Sequence, residues 1–376
     1  MVHRSAALAA ALLLASASFV VAGCAGAGNA SALSADRRDR LAKRWQLYVA
    51  NDAKWPAARD EWLAGPAEER ELLLDNLLRE LMSDDAGSRG SHTSVRSTRA
   101  RQELTWFGSE AIAPLVQGMR SLGSRPKVDV VVLDRIAEGL ATLHATGELV
   151  AIATPAPPGA SDAKLDLKAR LSALRALAPL DEPVVVPTLI DRLGHDPDWE
   201  VRASSAQLLR KHATEPPVRT ALGQAIADSD GFVRAEAVRG IVVGSSVDAA
   251  LAPVEPLLSF MAHDPAPQAR AAAADALAVW AFEPKVEEAL RLALRDPDYA
   301  VVGKAAQSLL NSKGQEVQLA LVDALERVNK QSVTDPAAAG LVSELLRILA
   351  VNVGATPTRI NPAGWRALIA ERAATK

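Results

Sequence analysis

One pattern is written four times between Thr188 and Leu310, and it leaves few folds open. The copies read DPDWEVRASSAQLL from Asp196, DSDGFVRAEAVRGI from Asp228, DPAPQARAAAADAL from Asp264 and DPDYAVVGKAAQSLL from Asp296, with steps of 32, 36 and 32 residues between the leading aspartates. Position +5 from each aspartate is Val201, Val233, Ala269 and Val301. Position +9 is Ser205, Ala237, Ala273 and Ala305, and position +13 is Leu209, Ile241, Leu277 and Leu309. A spacing of four puts these on one helix face, with a small residue in the middle where a neighbouring helix can come close. Ahead of the first copy lies an apolar helical stretch, VVVPTLIDRLG before His195. Asp-Pro or Asp-Ser then stops the first helix of each pair, since proline cannot continue a helix, and the aspartate is expected to cap the next one. One such pair cannot bury its own apolar face, so the copies must stack. The expected fold is all-α, an α-solenoid of stacked antiparallel helix pairs.

The Asp-Pro turns and the Val-Arg pairs Val201-Arg202 and Val233-Arg234 resemble the HEAT-repeat family, in the variant described as HEAT-like or bilin-lyase-type repeats. Arg270 keeps the arginine in the third copy, and Val302 replaces it in the fourth, so an Arg–Asp ladder between repeats is expected to weaken there. The resemblance implies architecture more than activity, because this fold hosts many roles. Two enzyme groups carry such repeats, the bilin lyases and deoxyhypusine hydroxylase. The hydroxylase family binds iron through His-Glu dipeptides, and none of the six histidines here is followed by glutamate. No residue distinguishes the lyases.

The N-terminus carries a different signal. His3 and Arg4 precede an apolar run from Ala6 to Val21, the pattern of a secretory signal peptide over 1–23. Val21-Ala22-Gly23-Cys24 resembles the lipobox of bacterial lipoproteins, which implies cleavage before Cys24 and diacylglycerol on its sulfur. The alternative is cleavage after Ala27 or Ala30. Cys24 is the sole cysteine, so an intramolecular disulfide, a Cys-rich zinc site and CxxC redox chemistry are excluded. Small polar residues to 36 read as a flexible tether. The expected location is an exported lipoprotein anchored in the outer membrane or cell envelope, facing the periplasm or surface.

Beyond the tether, 37–103 reads as an N-terminal helical cap with a polar loop. Trp45, Trp55 and Trp62 are either a docking surface or a plug for the open end of the stack. Arg89, Arg96, Arg99 and Arg101 fall in the loop. Residues 104–350 read as the repeat array, interrupted by a Pro/Gly/Ala loop, ATPAPPGASD, and 351–376 as a C-terminal capping helix plugged by Trp365.

Chemistry is sparse. There is no HExxH, no Walker A loop, no GxSxG elbow and no GxGxxG after a strand. A formal net charge of −3 is not that of an obvious nucleic-acid binder. His195-Asp196 and His263-Asp264 are metal-type dipeptides, but they stand two repeats apart, at the same helix end. Neither a metal nor a cofactor is expected. Trp199, Phe232 and Tyr299 follow the leading aspartates and are the candidate partner-binding residues; packing over their own turns is the alternative. The expected function is a non-catalytic, membrane-anchored scaffold that binds a protein or peptide. The alternatives are an enzyme or accessory lyase with a ligand in the solenoid groove, and a self-associating structural component of the envelope.

Overall fold

The structure is a computed structural model that describes residues 33–82, 95–123, 129–155, 167–245, 254–355 and 361–374. Cys24, the signal peptide and Arg89 lie outside the described residues, as does the Pro/Gly/Ala loop from residue 156 onward. Among the described residues every regular element is helical. Clustering of contacts divides the chain into two compact units, Met1–Glu182 and Pro183–Lys376.

The first unit contains α1 (Ala35–Val49), α2 (Trp55–Leu63), α3 (Ala67–Met82), α4 (Val95–Leu104), α5 (Ile112–Gly123), α6 (Val130–Thr142), α7 (Thr146–Ala153) and α8 (Leu167–Leu177). A 3-10 stretch, Thr105–Ala111, joins α4 to α5. It turns at Gly108, whose φ of 52° suits a residue without Cβ. Most of the described aromatic residues of this unit are packed inward, with Trp45 half-buried and Trp106 exposed. Tyr48, Trp55 and Trp62 are buried. Trp45 stacks on Tyr48 at 4.5 Å, and Trp55 meets Tyr48 edge-on at 5.1 Å. Indole N–H groups are satisfied from inside: Trp62 donates to the Glu69 carbonyl at 2.6 Å and Trp55 to the Glu103 carboxylate at 2.8 Å. Trp55 and Trp62 are thus part of the core of this unit, with Trp45 at its edge.

One reading of this unit changes. The arginine-rich run does not end as a loop. From Val95 it is the helix α4, with Ser97, Ala100 and Leu104 buried. Arg99 lies over the Tyr48 ring at 4.4 Å and donates to the Tyr48 carbonyl at 2.9 Å. Arg101 pairs with Glu138, and Arg96 lies 3.8 Å from Glu80. A further helix follows α6. His144, at φ 54°, turns the chain, and α7 then starts a further pair with α8.

The second unit is the stack. Its pairs are α9 (Val185–His195) with α10 (Trp199–Leu209), α11 (Pro216–Ala225) with α12 (Gly231–Ser245), α13 (Val254–His263) with α14 (Pro267–Ala276), α15 (Pro284–Ala293) with α16 (Tyr299–Ser308) and α17 (Gln315–Gln331) with α18 (Pro336–Val353), closed by α19 (Pro362–Ala374). The second helices pack in series, α10 on α12, α12 on α14, α14 on α16 and α16 on α18. Every residue at +5, +9 and +13 is buried, apart from the half-buried Ile241. The small residues at +9 permit this approach. At Gly231 the turns come closer still: a Cβ there would sit 2.3 Å from the Ala266 Cβ. The helix α18 is long and apolar enough to cross a membrane by length and composition. Here Leu345, Ile348 and Leu349 on it are wholly buried in the core of this unit.

Leu209 has no exposed surface. Leu209→Ala is therefore expected to cost about 2–5 kcal/mol of unfolding free energy, read from urea denaturation. A loss under about 0.5 kcal/mol, the size of an ordinary surface substitution, would refute the register.

Candidate docking edge

The turns between first and second helices lie along one edge of the stack, and their chemistry is set by the leading aspartates. Those residues do not cap the second helices in the four clear copies. Each carboxylate instead accepts the backbone N–H two residues on: Asp196 from Asp198 at 3.0 Å, and Asp228 from Asp230, Asp264 from Ala266 and Asp296 from Asp298 at 2.8 Å. In the second and fourth copies the side-chain cap stands at +2 instead. Asp230 accepts from Phe232 N at 2.8 Å and Asp298 from Ala300 N at 2.9 Å. Only in the fifth pair is the leading aspartate, Asp335, itself the cap, accepting from Ala337 N at 2.9 Å.

The remaining carboxylate capacity receives an arginine from the preceding repeat. Arg202 binds Asp228 in two-pronged fashion at 2.8 and 2.9 Å, Arg234 binds Asp264 at 2.8 and 2.7 Å, and Arg270 binds Asp296 at 2.8 and 2.9 Å. The third nitrogen of each guanidinium donates to carbonyls of its own turn, for example Arg234 Nη1 to Asp228 O at 2.8 Å and Ser229 O at 3.0 Å. One arginine thus ties its own turn to the next, with a geometry lysine could not supply. Burial acts to raise the pKa of Asp228 and of Asp264. The arginine hydrogen bond, the backbone N–H and the neighbouring arginine charges together outweigh it, and both carboxyls are held below their ordinary value.

At Val302 the ladder changes hands. Val302 is buried, and Arg327 comes from α17 to donate to the carbonyls of Leu294 at 2.6 Å and Asp296 at 2.9 Å. Asn352 of α18, also buried, donates to the carbonyls of Leu309 at 3.0 Å and Ser312 at 2.5 Å, closing the end of α16. The junction after the fourth copy loses the Arg–Asp pair and gains two side chains that bind backbone.

The structure brings Trp199 and Phe232 together. Their rings stack across adjacent repeats at 5.2 Å with a 25° interplanar angle, and they are 40% and 50% exposed. Tyr299 is not part of this pair. The third turn carries Pro267 and Gln268 where an aromatic would be needed to continue the row, and the Tyr299 hydroxyl is 2.7 Å from Gln331 Oε1, donating to it. Tyr299 packs partly buried against the core of the last repeats. A cleft of about 390 Å³ beside it is lined by Asp323, Glu326, Arg327, Lys330 and Gln331. Each of these side chains already has a partner, with Arg366 bridging Asp323 at 2.7 Å and Glu326 at 2.9 Å, and Lys330 at 3.4 Å from Glu326.

The His-Asp dipeptides separate in space. His195 is exposed and contacts Asp191 at 3.0 Å, while Asp196 turns inward, where Arg192 lies 3.4 Å away. His263 is exposed, and the Asp264 carboxylate is held by Arg234. Among the described residues no group of three or more His, Cys, Asp or Glu side chains is placed to share an ion.

The model of the family described as HEAT repeats matches residues 162–242 and 254–342. Among solved structures, the chain is similar to the complex of CpcE and CpcF of phycocyanin lyase from Nostoc sp., at 20% identity over 61% of this chain and 93% of that one, with a TM-score of 0.33. It is also similar to YibA from Escherichia coli, at 14% identity over 75% and 98% of the two chains, with a TM-score of 0.32. The comparison with curated proteins returns no match. Over residues 162–242 and 254–342 the sequence therefore carries HEAT repeats.

Proposed function

We propose that this protein is a non-catalytic scaffold, held at a membrane by a lipid on Cys24, that binds a protein or peptide partner along the turn edge of its second unit. The observation that carries the binding half is the stacked Trp199–Phe232 pair, 40% and 50% exposed. Large aromatic rings contribute most when an interface desolvates them, and binding hot spots are rich in them. Both stand on helix starts of adjacent repeats joined by the Arg202–Asp228 pair, so the surface is rigid before a partner arrives and little ordering entropy opposes binding. The anchoring half rests on the lipobox-like Val21-Ala22-Gly23-Cys24 and the small, polar tether that follows it.

The anchor is tested first. Each buried methylene of an acyl chain contributes about 0.8 kcal/mol, so two or more chains hold a protein stably. Metabolic labelling with a fatty acid is expected to mark the wild type. Cys24→Ser is expected to abolish the label and to move the protein from the membrane to the soluble fraction. An unlabelled wild type, or equal labelling of the variant, rules the anchor out.

A further inference from the structure

The charge along the turn edge says what kind of partner the Trp199–Phe232 pair suits. Over the four turns, 196–202, 228–234, 264–270 and 296–302, eight carboxylates stand against three arginines of the turns themselves, with Arg192 beside Asp196 and Arg327 at the fourth turn brought in from the first helices. All three arginines are committed to the ladder. The negative excess gathers around the exposed rings. Asp198 and Glu200 flank Trp199 in sequence, and Glu200 is exposed. Asp230 accepts the Phe232 N–H, which holds its carboxylate at the foot of that ring. An aromatic face carries negative charge density and attracts ammonium and guanidinium groups. Lysine and arginine also bring an alkyl stem that lies on apolar surface while the charged head reaches outward. Rings and carboxylates side by side therefore favour the same side chains and repel acidic ones.

We propose that the Trp199–Phe232 edge is a docking site for an extended, lysine- or arginine-bearing segment of a partner protein. This rests on the scaffold reading above and deepens it. Packed helices lie about 8–10 Å apart, and successive turns of the stack share that step. A polyproline II segment has three residues per turn at about 3.1 Å each, so every third side chain faces the same way about 9 Å further on. A segment with a cation at every third position would place successive cations over successive turns.

The test uses the full chain and a fluorescein-labelled peptide, (Lys-Pro-Pro)4, with (Glu-Pro-Pro)4 as its counterpart, read by fluorescence anisotropy. The lysine peptide is expected to bind, more weakly as salt rises from about 50 to about 300 mM, and the glutamate peptide is not. The double variant Trp199→Ala/Phe232→Ala is expected to weaken binding at least about tenfold. Glu200→Lys with Asp230→Asn is expected to weaken it comparably, asparagine keeping the helix cap. Trp106→Ala, an exposed tryptophan of the first unit, is expected to change nothing. Helical signal and melting point show that each variant is folded. If Trp199→Ala/Phe232→Ala binds the lysine peptide as the wild type does, the docking edge itself is wrong. If that variant loses binding while the charge variant keeps it and the glutamate peptide binds equally, the edge stands and the cationic assignment falls.

Discussion

Asp264→Ala is expected to lower the unfolding free energy of the repeats by about 3–5 kcal/mol, the cost of leaving a buried ionic partner unpaired. The pair it breaks is well covered, with Arg234 and Asp264 side chains 11% and 4% exposed. Three losses fall together: the two-pronged bond to Arg234, the acceptor for Ala266 N–H, and the charge that balances a guanidinium fixed between two turns. Asp298→Ala gives the contrast, because its carboxylate caps Ala300 N at the edge and its loss should cost about 1 kcal/mol. Urea unfolding of the two variants beside the wild type decides the matter, and near-equal midpoints would mean that the ladder is decoration. The acid response must agree. Because Asp228 and Asp264 are held below their ordinary value when folded, the unfolded chain takes up protons at higher pH than the folded one. Their contribution is complete above the unfolded value of about 3.9 and is lost as pH falls through the depressed folded values. Stability should therefore decline below about pH 4, and Asp264→Ala should flatten that decline.

The ladder also marks where sequence reasoning reaches and where it stops. The positions at +5, +9 and +13 were legible because each rests on spacing within one helix, and burial of Val201, Ser205 and Leu209 follows directly. The role of the leading aspartate was not. A carboxylate before a helix can accept from its own helix, or from an arginine some 26–30 residues back, and local pattern does not separate the two. The replacement for the missing arginine at 302 comes from Arg327, on the next first helix, and no repeat register points there. Helix α4 was hidden for another reason. Its inward positions are Ser97, Ala100 and Leu104, and two of these three are too small to show as an apolar stripe among arginines. Of the candidate residues, Trp199 and Phe232 meet because their turns are adjacent. Tyr299 does not join them, because Pro267 and Gln268 stand in the turn between where the other turns carry their aromatics.

At the C-terminal end the largest single side chain gives the second strong expectation. Trp365 is wholly buried in the core of the last repeats, on a helix started by Asn361, whose side chain accepts from Gly364 N at 2.8 Å. Trp365→Ala should cost about 3–5 kcal/mol, the range for emptying a buried tryptophan site. Trp365→Phe should cost much less. It gives up volume, but it also removes an indole N–H that is buried without an acceptor among the described residues, and leaving such a group unsatisfied costs about 1–3 kcal/mol. The two variants together separate packing from polarity, because a plug that works by volume alone would lose stability in proportion to the atoms removed. The place of the loss matters as much as its size. Neighbouring repeats stabilise one another pairwise, so removing the plug should free α17 and α18 first and leave α9 and α10 nearly as protected as before. Amide exchange measured along the chain reads this directly. Equal loss of protection at both ends of the stack would mean that Trp365 supports a single cooperative core, and that the last helix is not a cap.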